Sequence, residues 1–315
     1  MRLKKMDKPI IVIVGPTAVG KTDLTVELAR RLNGEVVSAD SRLFYRGMNI
    51  GTAKPSREEM RGVPHHLIDV ADPDDTWSLA VFQQEAVKII DDIQMRQKLP
   101  FLVGGTGQYI QAVVAGWVIP AQEPDHRIRV VLEEWAGEIG AFSLYEKLQK
   151  IDPEAAANIE YQNVRRTIRA LEVIFLTGKK FSEQRTKNES PFSPLIIGLK
   201  RPRRILYERI DQRIEKMVNN GLIAEAQSLL DKGYSPELPS LSAIGYRQII
   251  GYLQGAMTLP EAAVQMKRST RQFVRRQANW FKENDPHIHW FEMDEDTVDK
   301  VESFIRESIN PEDRK

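Results

Sequence analysis

The chain has 315 residues, enough for one large domain or two smaller ones around a substantial core. Its net charge of +1, hydrophobic content of 42% and charged content of 28% are ordinary for a globular protein, so bulk charge indicates no polyanionic partner. The absence of cysteine excludes disulfides, thiolate metal sites and a thiol nucleophile. No apolar run has the length of a signal sequence or membrane span, so we expect a cytoplasmic protein with no membrane partner.

The first predicted element is a buried strand over 10–14, followed by a glycine-rich segment that we call loop 15–22. Its sequence fits G-x-x-x-x-G-K-[ST]: Gly15, Pro16, Thr17, Ala18, Val19, Gly20, Lys21 and Thr22. Leu24, Leu28 and Leu32 then predict the buried face of a helix. In this pattern the backbone N–H groups and the lysine hold phosphates, and the hydroxyl of Thr22 can hold Mg²⁺. The segment therefore predicts a site for a pyrophosphate or polyphosphate.

Two further predicted strands, over 35–38 and 100–103, end in segments with candidate functional residues. Asp40 follows the first of these strands, and Gly104-Gly105-Thr106-Gly107 follows the second. Ligands bind beyond the carboxyl ends of strands in an open α/β sheet, so we expect Asp40 and Thr106 near Lys21. Asp40 could bind a metal or accept a proton, or it could only cap a following helix. Residues 65–70 predict another strand, and residues 78–95 a helix.

Composition changes at 120–124, and from there to about residue 190 the pattern is entirely helical. A strand over 194–199 then returns. The predicted fold is an α/β parallel-sheet core, residues 1–120 and 191–315, with an all-helical insertion domain at 121–190 and a helical C-terminal part. Helices are predicted over 203–220, from a capping box at 258–261 to about residue 283, and over 297–309, with a last strand at 287–293.

The helix that begins near residue 258 has an apolar side and a basic side. By its periodicity, the basic side collects Arg268, Arg271, Arg275 and Lys282. Such a stripe is typical of a phosphate-backbone contact, although a solvated helix face has the same pattern.

Three functions fit these observations. The first is a small-molecule or nucleoside kinase, and the second is a nucleic-acid-dependent NTPase. The third is a transferase that holds the diphosphate of a non-nucleotide donor and acts on a nucleic acid. The basic helices and the helical insertion favour the second and third, while no convincing strand ends in a metal-binding Asp, which weakens the second.

Several motifs resemble the tRNA dimethylallyltransferase (tRNA isopentenyltransferase) family. The longest is Ser38-Ala39-Asp40-Ser41 followed by residues 45–55, YRGMNIGTAKP. Further blocks agree in order and spacing from residue 9 to about 292: HHL at 65–67, VGGT at 103–106, residues 163–172, IGYR at 244–247 and residues 270–277.

The resemblance implies transfer of a dimethylallyl group from dimethylallyl diphosphate to N6 of adenosine 37 beside the tRNA anticodon. Loop 15–22 would hold the diphosphate with Mg²⁺ on Thr22, and Arg213 would reach it from a later helix. Asp40 would take the N6 proton, and Thr106 would contact the reacting groups. We expect tRNA and dimethylallyl diphosphate as partners of a monomeric enzyme.

The resemblance also implies a set of tRNA-binding residues: Asp40, Ser41, Arg42, Leu43, Thr106, Arg127, Asn163, Val164, Arg165, Arg166, Thr167, Arg268, Arg271 and Arg275. Two positions depart from the family pattern. Many relatives carry Gln where this chain has Leu43, and Leu where it has Gln108. Because Leu43 lies beside Asp40, contacts to the adenine edge are the part that carries over least directly.

Overall fold

The computed structural model describes residues 7–119, 125–184 and 190–309. Its contacts divide the chain into two compact units. Unit 1 comprises Met1–Val114 and Pro191–Lys315, and unit 2 comprises Ala115–Ser190. Within the described ranges, no helix combines the length and apolar character of a membrane span.

Unit 1 is built on one parallel sheet, whose described strands are β1 (Pro9–Val14), β2 (Gly34–Ser38), β3 (His65–His66), β4 (Leu99–Val103), β5 (Ser193–Lys200) and β6 (Ile288–Glu292). They lie in the order β3-β2-β4-β1-β5-β6. Each neighbouring pair is parallel, with Ile11 opposite Phe101 on one side of β1 and opposite Leu195 on the other. The predicted α/β class with a parallel sheet is therefore confirmed.

Helices cover both faces of this sheet, and the alternation of side chains along β1 shows why. Ile10, Val12 and Val14 belong to the apolar cluster on one face. Ile11 and Ile13 belong to the cluster on the other. A strand buried on both faces needs an unbroken apolar run, and β1 has one.

The helices of unit 1 begin with α1 (Lys21–Arg31), α2 (Arg57–Met60), α3 (Leu79–Met95) and α4 (Gly107–Val114). After the insertion come α8 (Arg203–Asn219), α9 (Leu222–Asp231), α10 (Tyr246–Leu253), α11 (Leu259–Gln277) and α12 (Thr297–Ile309). Residues of α8 to α11 form a further apolar cluster, with Tyr246 fully buried in it.

Unit 2 contains α5 (His126–Ile151), α6 (Pro153–Ala157) and α7 (Val164–Thr177). Gly140, at φ 83°, interrupts α5 and divides it into two helical parts. The buried carboxylate of Glu172 on α7 accepts hydrogen bonds from Arg129 of α5 and from Arg169. That residues 121–190 form a separate domain, as the change in composition indicates, stays a prediction.

Two elements predicted from the sequence, one strand and one helix, are shorter in the structure than predicted. The strand expected over 65–70 ends at His66, because Leu67 and Asp69 have positive φ angles of 59° and 55°, which a strand does not accept. The helix expected to reach residue 283 ends at Gln277, so Lys282 does not belong to its basic stripe. Helices α2, α9 and α10 were not predicted.

Candidate functional site

Three segments that follow neighbouring strands meet at the carboxyl edge of the sheet. Loop 15–22 follows β1, the turn at Asp40 follows β2, and Gly104 to Thr106 follow β4. Because β4 lies between β1 and β2, these segments are adjacent in space. The sequence predicted this meeting from the strand ends alone.

Close packing and unusual backbone angles fix the shape of loop 15–22. Gly15 has φ 143°, and a Cβ there would lie 2.6 Å from the carbonyl oxygen of Leu199. Gly20, at φ 114°, is the residue before α1. Ala18 is buried and has φ 64°, an unfavourable angle for a residue with a Cβ. The first N–H groups of α1 point out of the helix end and provide partial positive charge.

Cationic side chains bind the carbonyl oxygens of this loop. The Nζ of Lys21 donates to the carbonyls of Gly15 and Pro16, both at 2.9 Å. Arg209 Nε donates to Ala18 O at 2.7 Å, and Arg201 Nε to Val19 O at 2.9 Å. These bonds hold four of the five carbonyl groups from Gly15 to Val19, so the loop has a defined shape without a ligand.

A cavity of about 660 Å³ opens beside the loop. From the loop its wall takes Thr17, Ala18, Gly20, Lys21 and Thr22. Asp40, most of residues 49–56, and Arg209 and Arg213 of α8 also line it. Apolar side chains also line it, among them Leu43, Ile68, Val103 and Met217. The cavity thus combines a cationic end with an apolar wall and three carboxylates, of which Asp40 follows strand β2 and the others are Asp23 and Glu59.

The electrostatics of the cavity favour an anion. Desolvation by burial lowers the pKa of Lys21 to about 8; Asp40 opposes this shift and Arg213 adds to it. The pKa of Arg213 is also lowered, first by desolvation and then by the charge of Arg209. The side chain of Arg213 is nevertheless exposed to solvent. An anion between these cations would relieve their mutual repulsion.

Asp40 shapes a turn and also faces the cavity. Its Oδ1 accepts a hydrogen bond from the backbone N–H of Arg42 at 3.0 Å, and its carbonyl accepts one from the N–H of Leu43 at 3.1 Å. The residues that follow form turns, so Asp40 caps no helix. The hydroxyl of Thr106 accepts from the N–H of Ser41 at 3.4 Å, which places Thr106 behind this turn rather than in the cavity wall.

The structure separates the residues expected at tRNA into exposed and engaged side chains. Arg127, Arg165 and Arg166 of unit 2 are exposed. Asn163 caps α7 by accepting from the N–H of Arg166, and Thr167 is fully buried. The side chain of Thr167 therefore offers nothing to a ligand in this conformation, and that of Val164 is partly packed into the core of unit 2.

The same distinction divides the residues expected from unit 1. Arg268 and Arg275 of α11 are exposed. Arg271 instead binds Asp211 of α8 at 2.8 and 2.6 Å and lies over the ring of Tyr207. Arg42 donates to the carbonyl of Pro239 at 2.8 Å, so much of its guanidinium already has a partner.

Two residues near the site were not singled out from the sequence. Gln277 is buried and bonds to both loop 15–22 and the Gly105 segment. The Glu225 carboxylate accepts from the N–H groups of Asn49, Ile50 and Gly51 at 2.9 to 3.1 Å and from the hydroxyl of Tyr246 at 2.5 Å. Glu225 thereby fixes the segment that lines one side of the cavity. Neither residue lies in a local pattern that indicates these distant partners.

Comparisons with known proteins match most of the length of the chain. The family model described as IPP transferase matches residues 43–284, and that described as isopentenyl transferase matches residues 8–72. A tRNA dimethylallyltransferase of Roseiflexus sp. (strain RS-1) is 53% identical over 274 residues, which cover 87% of this chain and 90% of that protein. One from Halalkalibacterium halodurans is 48% identical over 307 residues, 95% of this chain and 97% of that protein.

Solved structures give the same result. The tRNA isopentenylpyrophosphate transferase of Bacillus halodurans matches with a TM-score of 0.73 and 45% identity over 96% of this chain and 97% of that one. A eukaryotic dimethylallyltransferase described as acting on tRNA matches with a TM-score of 0.80 and 29% identity, over 95% of this chain and 78% of that one. With the family model covering most of the chain and relatives this similar along nearly all of it, the chain belongs to the tRNA dimethylallyltransferase (IPP transferase) family.

Proposed function

We propose that this enzyme transfers the dimethylallyl group of dimethylallyl diphosphate to N6 of adenosine 37 in tRNA anticodon loops, giving N6-isopentenyladenosine. The observation that carries the proposal is the shared cavity. It contains the cations and helix end of loop 15–22 together with the carboxylate of Asp40 from the neighbouring strand. One end of the cavity suits a diphosphate, and the other suits removal of a proton.

At the cationic end, Lys21 and Arg213 bind the diphosphate of the donor. The bond between the allylic carbon and the diphosphate oxygen breaks, and the diphosphate leaves with the electron pair. Positive groups already in place stabilise this charge without reorganisation, which is the largest contribution in many such reactions. The apolar wall at Leu43, Ile68 and Val103 is of a kind to receive the small hydrocarbon group.

The donor set of the cavity fits Mg²⁺. Within the described residues, no group of three or more His, Cys, Asp or Glu side chains could hold a metal. The hydroxyl of Thr22 lines the cavity, however, and Mg²⁺ is commonly held by few protein oxygens together with phosphate oxygens and water. We therefore propose that Thr22 holds Mg²⁺, which would neutralise charge on the leaving diphosphate.

At the acceptor end, the lone pair of N6 forms the new bond to the allylic carbon, and the N6 proton passes to Asp40. The turn at Asp40 orients this carboxylate: Oδ1 is held by the N–H of Arg42, and the residue lines the cavity. Thr106 steadies the same turn through Ser41 and is proposed to contact the reacting groups once tRNA is bound.

An adenosine in a folded anticodon loop must leave its stack to reach such a cavity. We propose that exposed arginines hold the tRNA backbone for this step. These are Arg268 and Arg275 on α11 and, in unit 2, Arg127, Arg165 and Arg166. A cytoplasmic location follows from this substrate, and the expectation of a monomer is part of the proposal.

The kinase and NTPase alternatives are not favoured. Strand β4, beside β1, is followed by Gly104 and Gly105, so its end supplies no carboxylate for a nucleotide-bound metal. The family to which the chain belongs is also one of transferases.

The test is to incubate the purified protein and Mg²⁺ with unmodified bulk tRNA, adding either dimethylallyl diphosphate or ATP. Digestion to nucleosides should show N6-isopentenyladenosine only with the prenyl donor. A tRNA with guanosine at position 37 is the matched acceptor control and should stay unmodified. Efficient ATP turnover without a prenylated nucleoside would contradict the proposal.

A further inference from the structure

Two arginines bind carbonyl groups of loop 15–22, but they differ in what their remaining nitrogen atoms contact. Arg201 donates through Nε to Val19 O at 2.9 Å and through Nη1 to Met293 O at 3.1 Å. Arg209 donates through Nε to Ala18 O at 2.7 Å. Within the described part of the chain, the terminal nitrogens of Arg209 have no hydrogen-bond partner. A guanidinium has five N–H groups, so Arg209 retains donors for a ligand.

Arg209 belongs to the cavity wall, where its remaining donors can meet a ligand. The wall of the cavity includes Arg209 and Arg213, whereas Arg201 is not among the described residues that form it. Arg209 and Arg213 are four residues apart on α8, so their side chains leave the same face of the helix. Two guanidinium groups on one face, in a cavity that Lys21 also lines, form a set of positive charges suited to more than one phosphoryl group.

The contact with Ala18 gives Arg209 a structural role as well. Ala18 is buried at φ 64°, an angle that needs support from its surroundings. Arg209 supplies that support from the side of the loop that faces the cavity. A residue with both contacts couples the shape of the loop to the charge of its ligand.

We propose that Arg209 is a second diphosphate-binding arginine, one edge of which holds the carbonyl of Ala18 while the other binds phosphoryl oxygen atoms beside Arg213. This assignment rests on the proposed function, in which the cavity takes a prenyl diphosphate. As the allylic carbon–oxygen bond breaks, the electron pair goes to the diphosphate, and the fixed charge of Arg209 stabilises it there. Arg209 itself neither gains nor loses a proton as this bond breaks.

Inorganic pyrophosphate is the probe, because it tests the anion site without tRNA or the prenyl group. Calorimetric titration with Mg²⁺ present compares the wild type with Arg209→Gln, Arg213→Gln and Arg201→Gln. Arg204→Gln is the matched control, since Arg204 lies on the same helix with its side chain 88% exposed and pairs with Glu208. We expect Arg209→Gln and Arg213→Gln each to weaken pyrophosphate binding about tenfold or more, as expected for a lost charge-assisted contact.

Thermal unfolding separates this role from a purely structural one. Arg201→Gln and Arg209→Gln each remove one bond to the loop, so both should lower the melting temperature, but only Arg209→Gln should lose pyrophosphate affinity. Equal pyrophosphate affinity in these two variants would overturn the assignment. If Arg209→Gln does not fold, Arg209→Lys replaces it, and an affinity equal to the wild type would then overturn the assignment.

Failure of the proposed function would look different. A wild type that binds pyrophosphate through Arg209 but yields no prenylated tRNA would leave the anion site in place and reject only the reaction.

Discussion

The side-chain oxygen of Gln277 accepts a hydrogen bond from the backbone N–H of Thr17 at 2.9 Å, across 260 residues of sequence. Its side-chain nitrogen donates to the carbonyl of Gly105 at 3.0 Å. Both bonds form in only one orientation of the Gln277 amide, because the N–H of Thr17 needs an acceptor and the carbonyl of Gly105 needs a donor. Gln277 therefore fixes the distance between the segment proposed to hold the diphosphate and the segment that carries Thr106.

We predict that Gln277→Glu lowers kcat/KM for the donor by about 10- to 100-fold, the cost of one unpaired buried carbonyl together with an added negative charge. Glutamate retains the acceptor for Thr17 but offers no donor to Gly105 when ionised. Steady-state kinetics with tRNA in excess measure the effect. Gln272→Glu, at an exposed position of the same helix, adds the same charge and should change kcat/KM little. Equal effects of the two changes would show that charge alone matters.

The sequence predicted those parts of the fold that local patterns determine. Strand β1, loop 15–22 and α1 follow one another within 25 residues, and the capping box at Thr258 and Glu261 is present as predicted. The meeting of Asp40 and Lys21 also followed, because parallel strands bring their carboxyl ends to one edge, whereas Thr106 lies outside the cavity wall. Backbone angles limited the rest: the positive φ of Leu67 ends β3 in a way that an apolar pattern does not show.

Contacts between distant segments could not be predicted. The Glu225 carboxylate binds three consecutive backbone N–H groups that lie more than 170 residues earlier. Helix periodicity cannot distinguish Glu225 from an exposed glutamate, because both occupy polar positions of the pattern. Likewise, the basic stripe of α11 predicted three equivalent arginines, yet Asp211 of α8 engages Arg271. Pair contacts of this kind depend on how helices pack, which one sequence does not state.

The pKa of Lys21, lowered to about 8, predicts a pH dependence of donor binding. A bound diphosphate favours the charged ammonium, so the complex has a higher pKa than the free enzyme, and affinity falls as pH rises above 8. The dissociation constant for dimethylallyl diphosphate should rise by about tenfold between pH 7 and pH 9. For folding, the lowered pKa means that this group adds stability as pH rises from about 8 toward 10.5.

Lys21→Met is the control for this experiment. It removes the titrating lysine, so any remaining pH dependence of binding comes from ionisation of the ligand. Its binding should be weaker at every pH, and its remaining pH dependence should be the smaller one of the ligand itself. The same change of affinity with pH in both proteins would show that Lys21 does not titrate in this range.

The exposure of Arg268 and Arg275 predicts how tRNA affinity depends on salt. Replacing either with Ala should weaken tRNA binding and reduce the slope of log K against log salt by roughly one charge. Arg271→Ala should leave the slope nearly unchanged, because Asp211 already neutralises this arginine. Filter binding or fluorescence anisotropy at several salt concentrations measures the slopes. Equal slopes in all three variants would contradict the prediction that Arg271 contributes less to tRNA binding than Arg268 and Arg275.

Asp40 offers the most direct test of the chemistry. The N6 amine of adenosine is not basic, so its proton must leave as the carbon–nitrogen bond forms. A positioned carboxylate commonly contributes about 10²- to 10⁴-fold to such a step, and we predict that Asp40→Asn lowers kcat by roughly that factor. Asp40 Oδ1 accepts a hydrogen bond from the N–H of Arg42 at 3.0 Å. The fold should survive the substitution, because the side-chain oxygen of Asn can accept the same bond.

The assay of Asp40→Asn is best made at pH 7. Asp40 supports the charged form of Lys21, so its replacement lowers the pKa of Lys21 below about 8, and a more alkaline assay would mix loss of the base with loss of the cation. At pH 7 the KM for the donor should stay the same or fall, since a negative charge beside the diphosphate site has been removed. A kcat within about threefold of the wild type would mean that Asp40 only shapes its turn, because catalysis by a general base predicts a far larger loss.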